Sequence, residues 1–394
     1  MLQKEMKEHL QRKILPFWKG LKDEEHGGYY GYVDGALQVK KDAEKSCILN
    51  SRILWFFSNA YICLGEKELR EYAVHAYDFL RNHCFDKERG GVFWSLTCDG
   101  RVEDGTKHTY NQAFAVYALS SYYRAFGEQE ALLLAGRLVR MIEEKCFDRY
   151  GYKEAQTEDF RPASNEKLSE NGVMAERTMN TLLHVLEAYT EYYRVTQDGM
   201  AGDKLRWMLD LIVEKIYNPL LRRQEVFFDK QMNSLLDLHS YGHDIETAWL
   251  VDQCTEILGD AGYRKKMGPI TAALEQQVFE RAYRNHSLEN ECERGKTDTR
   301  RIWWVQAEGV VGFYNAWQKS GERRYLEAAE DIWDYIKEHL VDRREGGEWF
   351  WYADENGRPA KDAPEAEPWK CPYHNGRMCM EIIRRAKQKA IKEK

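Results

Sequence analysis

Six times along this chain a mostly apolar segment begins with polar or ionisable residues. The openings recur at intervals of roughly sixty to seventy residues, close to one long helical hairpin plus a loop. They are Asn50-Ser51-Arg52, Tyr110-Asn111, Asn180 with His184, His243 with Glu246, Trp304 with Glu308, and His374-Asn375. Each continues as a stretch such as Ile53-Leu54-Trp55-Phe56-Phe57, apolar on most sides and therefore suited to the interior. Polar groups held at one end of several buried helices point to a pocket shared at that end.

Six stretches of a second kind lie between them. Residues 2–17, 66–84, 128–146, 203–217, 264–283 and 322–340 alternate apolar and charged side chains at helical spacing, which predicts amphipathic helices with one wet face. Twelve helices alternating between the two kinds predict two concentric rings, the all-α (α/α)6 barrel. Gly27-Gly28, Gly90-Gly91 and Gly346-Gly347 each precede aromatic, strand-forming residues. Turn signals such as Asp99-Gly100 and Asn356-Gly357 follow, so short β-hairpins are expected in the connecting loops. No Pro/Gly/Ser-rich linker divides the chain, and residues 1–394 read as a single catalytic domain. Residues 157–172 and 359–372 are irregular and each precedes an inner helix carrying a histidine, so both are expected at the rim of the pocket.

Composition removes several classes of function. A net charge of −7 offers no basic footprint for nucleic acid. Nine cysteines are scattered singly without a C-x-x-C pair, which suggests neither a zinc ribbon nor a redox pair and fits a reducing compartment. The charged start of the chain does not resemble the apolar core of a signal peptide, and no eighteen apolar residues run together, so no membrane span is expected. A cytoplasmic protein, monomeric for want of an obvious apolar patch, is the expectation. Twelve tryptophans fit either a core of large helices or flat platforms for sugar rings.

His184, His243 and His374 occupy equivalent places in three repeats. Histidine takes and gives a proton near neutrality, so proton transfer is the natural use. The alternatives are core histidines with satisfied hydrogen bonds and a three-imidazole zinc site. Against zinc, the three come from separate repeats and lack an H-E-x-x-H pair; no metal ligand is assigned. Glu246 follows His243 by three residues and shares its helix face, where it would orient the imidazole or accept from a hydroxyl. Glu308 stands similarly after Trp304. Arg52 heads an all-apolar run, and a guanidinium there needs an anion, a developing negative charge or a structural ion pair. Trp249, Trp304 and Trp369 lie nearest the histidines and are candidates for stacking on a sugar. Asn180, Tyr110 and Asn111 are expected to line the pocket. Recurrent histidines rather than paired carboxylates shift the expected chemistry from glycoside hydrolysis toward proton abstraction beside a carbonyl.

These segments, in order, resemble the N-acylglucosamine 2-epimerase superfamily. The likeness is carried by residues 49–55, Tyr110-Asn111-Gln112, Asn180 to His184, Gly242-His243-Asp244-Ile245-Glu246, Trp303 to Glu308, and Trp369 to Arg377. It implies an (α/α)6 barrel and cofactor-free epimerisation at C2 of the reducing-end glucose of cellobiose or lactose. It also marks Arg52, His184, His243, Glu246, Trp249, Trp304, Glu308, Trp369 and His374 as site residues. The rivals are a monosaccharide enzyme on the same scaffold (an N-acylglucosamine 2-epimerase or mannose isomerase), an (α/α)6 glycan hydrolase, and a non-catalytic sugar-binding barrel.

Overall fold

The computed structural model describes residues 2–392. Among these, twelve helices form two rings. The inner helices are α2 (Cys47–Leu64), α4 (Thr109–Phe126), α6 (Met179–Thr196), α8 (Tyr241–Leu258), α10 (Trp303–Ser320) and α12 (Tyr373–Lys392). Each packs on the next, and α12 packs on α2 to close the ring. The outer helices are α1 (2–20), α3 (69–84), α5 (129–146), α7 (199–216), α9 (Ala261–Arg281) and α11 (323–340). Helices α3 to α11 each pack mainly against the inner helix before them, and α1 packs against α12, so the first helix of the chain completes the last pair.

The two kinds of helix owe their places to their apolar residues. Helix α2 buries residues all round, whereas α11 exposes a charged face and buries a stripe that includes Tyr325, Ala328, Ala329 and Ile332. By length and hydropathy α2 would pass for a membrane span, which the sequence reading did not anticipate; 72% of it is buried within the protein. The Ser46 hydroxyl caps α2 and the Thr178 hydroxyl caps α6, while Gly65, Gly127, Gly259 and Gly321 end inner helices in the left-handed conformation.

Short hairpins join the rings, as expected. One pairs Ser95–Leu96 with Val102–Asp104 around Asp99-Gly100, and the longest strand group sets Glu291–Glu293 between Leu238–Ser240 and Lys296–Asp298. The Gly-Gly pairs serve a close approach. At Gly28 and Gly91 φ is 65° and 78°, and an added Cβ would meet Asn50 Oδ1 at 2.8 Å and Gln112 Oε1 at 2.9 Å. Those amides accept from the Tyr29 and Val92 backbone N–H groups at 3.0 and 2.7 Å, clamping each hairpin to an inner helix. A buried ion pair repeats beside each clamp: Lys45 donates to Asp23 at 2.5 Å, and Lys107 to Asp86 at 2.9 Å.

Candidate active site

The first turns of all six inner helices meet at one end of the ring, around a cavity of about 420 Å³. It receives Arg52 from α2, Tyr110 from α4, Asn180 and His184 from α6, His243 and Glu246 from α8, Trp304 from α10, and His374 from α12. Parallel inner helices also aim their positive dipole ends at this mouth, which favours an anion or a developing negative charge. The two irregular segments form its rim, supplying Lys167, Glu170 and Asn171 on one side and Trp369 on the other.

Each histidine has one ring nitrogen engaged. His374 Nδ1 donates to Glu308 Oε1 at 2.8 Å, and His184 Nδ1 donates to Glu187 Oε2 at 2.9 Å. His243 Nδ1 lies 2.7 Å from the Ser240 hydroxyl. The second nitrogen of each ring is left for the cavity these side chains line. Trp304 stands between two of the imidazoles, its ring centroid 4.9 Å from that of His243 and 5.4 Å from that of His374. Burial, aided by nearby His184, pushes His243 down to about 3. Burial and the Arg377 guanidinium push His374 well below its ordinary value, and burial lowers His184. All three imidazoles are therefore neutral near pH 7 and free to accept a proton.

Arg52 is 2% exposed, and among the described residues it forms no ion pair. Its Nη2 donates to the Tyr110 hydroxyl at 2.8 Å and its Nη1 lies 3.8 Å from Cys371 Sγ. The guanidinium rests 4.2 Å from the centroid of the Phe114 ring. Burial works against its charge, while the Tyr110 hydroxyl and the Cys371 sulfur it faces favour it, and a guanidinium stays ionised. A buried cation with neutral partners is prepared for negative charge that arises in the cavity.

Beneath the cavity lies a layer that the sequence reading placed only in part. Arg377 of α12 donates through Nη1 to Glu187 Oε1 at 2.5 Å, and through Nη2 to Glu308 Oε1 at 2.7 Å and to Glu246 Oε1. The Tyr373 hydroxyl donates to Glu187. Burial would raise Glu187, but Arg377 and the hydrogen bond from His184 hold it at about 2. Glu246 moves the other way, up to about 8, through burial and the neighbouring Glu308 carboxylate. Burial raises Glu308 as well, so this pair shares a proton at neutral pH. Glu246, Glu308 and His374 present ligand-type atoms within 4.8 Å of one another, but Arg377 already bridges both carboxylates where a cation would sit.

Three expected contacts are corrected. Trp249 is no platform: it is 1% exposed beneath the floor, where its indole Nε1 donates to Glu308 Oε2 at 2.9 Å. Glu308 is fully buried and meets His374, Arg377 and Trp249 rather than the cavity. Asn111 turns away from the mouth and donates to the Phe93 carbonyl at 2.8 Å, another hairpin clamp. The cavity does receive Arg52, His184, His243, Glu246, His374, Asn180, Tyr110, Trp304 and Trp369. Arg377, Glu187, Tyr373 and Ser240 were not singled out from sequence.

This barrel and this cluster belong to the class of carbohydrate epimerases, which are isomerases. The chain is a member of the N-acylglucosamine 2-epimerase family, whose model matches residues 10–375. It is 47% identical to a cellobiose 2-epimerase of Ruminococcus albus over 98% of this chain and 99% of that one. It is 49% identical to a cellobiose 2-epimerase of Eubacterium cellulosolvens, over 95% and 96% of the two chains. The crystal structure of a sugar epimerase from a ruminal bacterium superimposes with a TM-score of 0.97 at 47% identity, covering 98% of this chain and 99% of that one.

Proposed function

We propose that this protein epimerises C2 of the reducing-end glucose in β-1,4-linked disaccharides, converting cellobiose to glucosyl-mannose and lactose to epilactose. The observation that carries the reading is the pair His243 and His374, two neutral imidazoles on either side of Trp304, each with one nitrogen pinned and one left for the cavity. Inversion at carbon needs proton carriers on two faces, and these come from different helices.

Ring opening comes first. The C1–O5 bond breaks, O5 gains a proton and the C1 hydroxyl loses one; His184, fixed by Glu187, assists. One of His243 and His374 then takes the C2 proton. The electron pair moves toward C1 and the carbonyl oxygen becomes an enediolate oxygen, facing the Arg52 guanidinium. A preorganised donor of this kind is commonly worth about 3 kcal/mol in the transition state. The other imidazole, neutral in the empty cavity, takes up a proton from solvent at its cavity-facing nitrogen as the sugar binds and delivers it to the opposite face of C2, and ring closure completes the mannose configuration. Between turnovers the base returns its proton to water and the donor imidazole takes one up, each through the nitrogen that faces the cavity. Imidazoles and a guanidinium supply all of these steps, so the proposal requires no cofactor.

Disaccharide use is supported by the volume of the cavity, which falls in the range of small-ligand sites, and by polar rim groups such as Lys167, Asn171 and Arg300 beyond the histidines. Trp369 and Trp304 offer apolar ring faces. A cytoplasmic setting is part of the proposal, suggested by nine cysteines used singly.

Incubation with cellobiose, lactose, mannose and N-acetylmannosamine, with products identified by NMR, tests the assignment. Glucosyl-mannose and epilactose are expected. Free glucose from cellobiose would indicate hydrolysis, and turnover of only the monosaccharides would move the substrate to the smaller class.

A further inference from the structure

Arg377 and Glu187 do not line the cavity, yet they connect its histidines. The Arg377 fork reaches carboxylates from three other inner helices: Glu187 on α6, Glu246 on α8 and Glu308 on α10. Two of these bind a histidine directly, Glu187 through His184 Nδ1 and Glu308 through His374 Nδ1. Tyr373 adds a third brace, donating to Glu187 and accepting from Arg377. The guanidinium is itself held flat, 4.1 Å from the Tyr373 ring centroid and 4.8 Å from that of Trp249. Every member is at least nine-tenths buried. Three carboxylates with one cation would be an unstable grouping in a plain core, where a buried charge needs its own partner. A planar fork with several donors fits this geometry as a lysine could not.

We propose that Arg377 and Glu187 are positioning residues for the proton transfers: the guanidinium fixes Glu187 and Glu308, and these fix the tautomers and ring orientations of His184 and His374. The inference rests on the epimerase reading above. Its consequence is that two imidazoles assigned to different steps, ring opening and C2 proton transfer, share one buried cation. Their proton affinities therefore respond together to a change at Arg377, and in the opposite sense to a change at Glu187. The charged and titratable groups facing His374 are Glu308 from α10, Glu246 from α8, Arg52 from α2, His184 and Glu187 from α6, and Arg377 on its own helix.

The test compares Arg377→Gln, Arg377→Lys and Glu187→Gln with the parent, recording kcat and KM for cellobiose across pH and a thermal melt for each variant. The parent must epimerise; if it does not, the functional reading fails, separately from this inference. Losing the positive charge makes the imidazoles easier to protonate, so Arg377→Gln is expected to move the acid limb of kcat to higher pH by about one unit. Losing the negative charge does the reverse, so Glu187→Gln moves the limb to lower pH. In both, kcat falls at least about tenfold while KM stays within about threefold, since neither residue faces the cavity. Arg377→Lys keeps the charge but not the fork, and is expected to lose kcat with the limb near the parent's. Should Arg377→Gln not fold, Arg377→Lys and the near-isosteric Glu187→Gln carry the test through the same readouts. A folded Arg377 variant with parental kcat, or limbs displaced in the same direction by Arg377→Gln and Glu187→Gln, would overturn the inference. So would a loss of activity expressed in KM alone.

Discussion

His374 Nδ1 donates a 2.8 Å hydrogen bond to Glu308 Oε1, across 66 residues of sequence. The bond fixes which nitrogen of the imidazole faces the cavity, and Trp249 and Arg377 hold the carboxylate in turn. A base for carbon needs an aimed lone pair, and this chain of contacts aims it.

Replacing Glu308 by glutamine keeps the shape and removes the charge that selects the tautomer. We expect kcat to fall by about a hundredfold, the scale of losing an orienting carboxylate or a general base. Steady-state kinetics on cellobiose, with a melt showing the fold intact, checks this; a parental kcat would free His374 from dependence on Glu308.

Trp249 and Trp369 separate a buried brace from a wall of the cavity. Trp249→Phe removes one buried indole hydrogen bond, worth about 1 kcal/mol, and is expected to lower kcat several-fold with KM unchanged. Trp369→Ala removes apolar surface that lines the cavity and is expected to raise KM. The reverse pattern would restore Trp249 to the role of a platform.

Glu246 gives the alkaline side its shape. Its carboxyl is raised by burial and by Glu308, so it is protonated at neutrality and ionises as pH rises through about 8. Turnover is expected to decline over that interval, and Glu246→Gln, which cannot ionise, should flatten the decline in whatever activity it retains. The sign for stability follows: the folded value lies above the ordinary 4.5, so this group's contribution is complete below 4.5 and lost as pH rises through about 8. A pH–rate profile of both proteins decides; identical alkaline limbs would assign the decline to another group.

Lys107→Met tests the repeated ion pair outside the site. Lys107 Nζ and Asp86 are both buried, and the change leaves a buried carboxylate without its cation. Breaking such a pair costs about 3–5 kcal/mol, so a clear drop in melting temperature is expected, with kcat unchanged under conditions where the protein is folded. An unaltered melt would show the pair to be dispensable.

Much of this architecture is legible in the sequence because helical periodicity reports burial. The apolar run after Arg52 and the striped pattern of residues 323–340 sort themselves into inner and outer helices without further information. The site is less legible because depth along a helix is not. Tyr110 and Asn111 are neighbours, but adjacent helical residues point about 100° apart, so one meets the cavity and the other a hairpin. Trp249 and Glu308 follow Glu246 and Trp304 by three and four residues, which sets them about 4.5 and 6 Å deeper, beneath the floor. The same step marks Glu187 after His184 and Arg377 after His374. A search of these i+3 and i+4 positions would have found the supporting layer, although its pairings across helices depend on ring closure.

The most direct test of the account follows hydrogen at C2. Cellobiose is incubated in D₂O with the parent, His243→Ala and His374→Ala, and deuterium at C2 is read by NMR in both the remaining substrate and the product. The expected result is deuterium at C2 of the product formed by the parent, with either alanine variant folded and slowed by at least about a hundredfold. Epimerisation without deuterium at C2 of either sugar, or near-normal turnover by both variants, would contradict a two-histidine proton transfer through an enediolate.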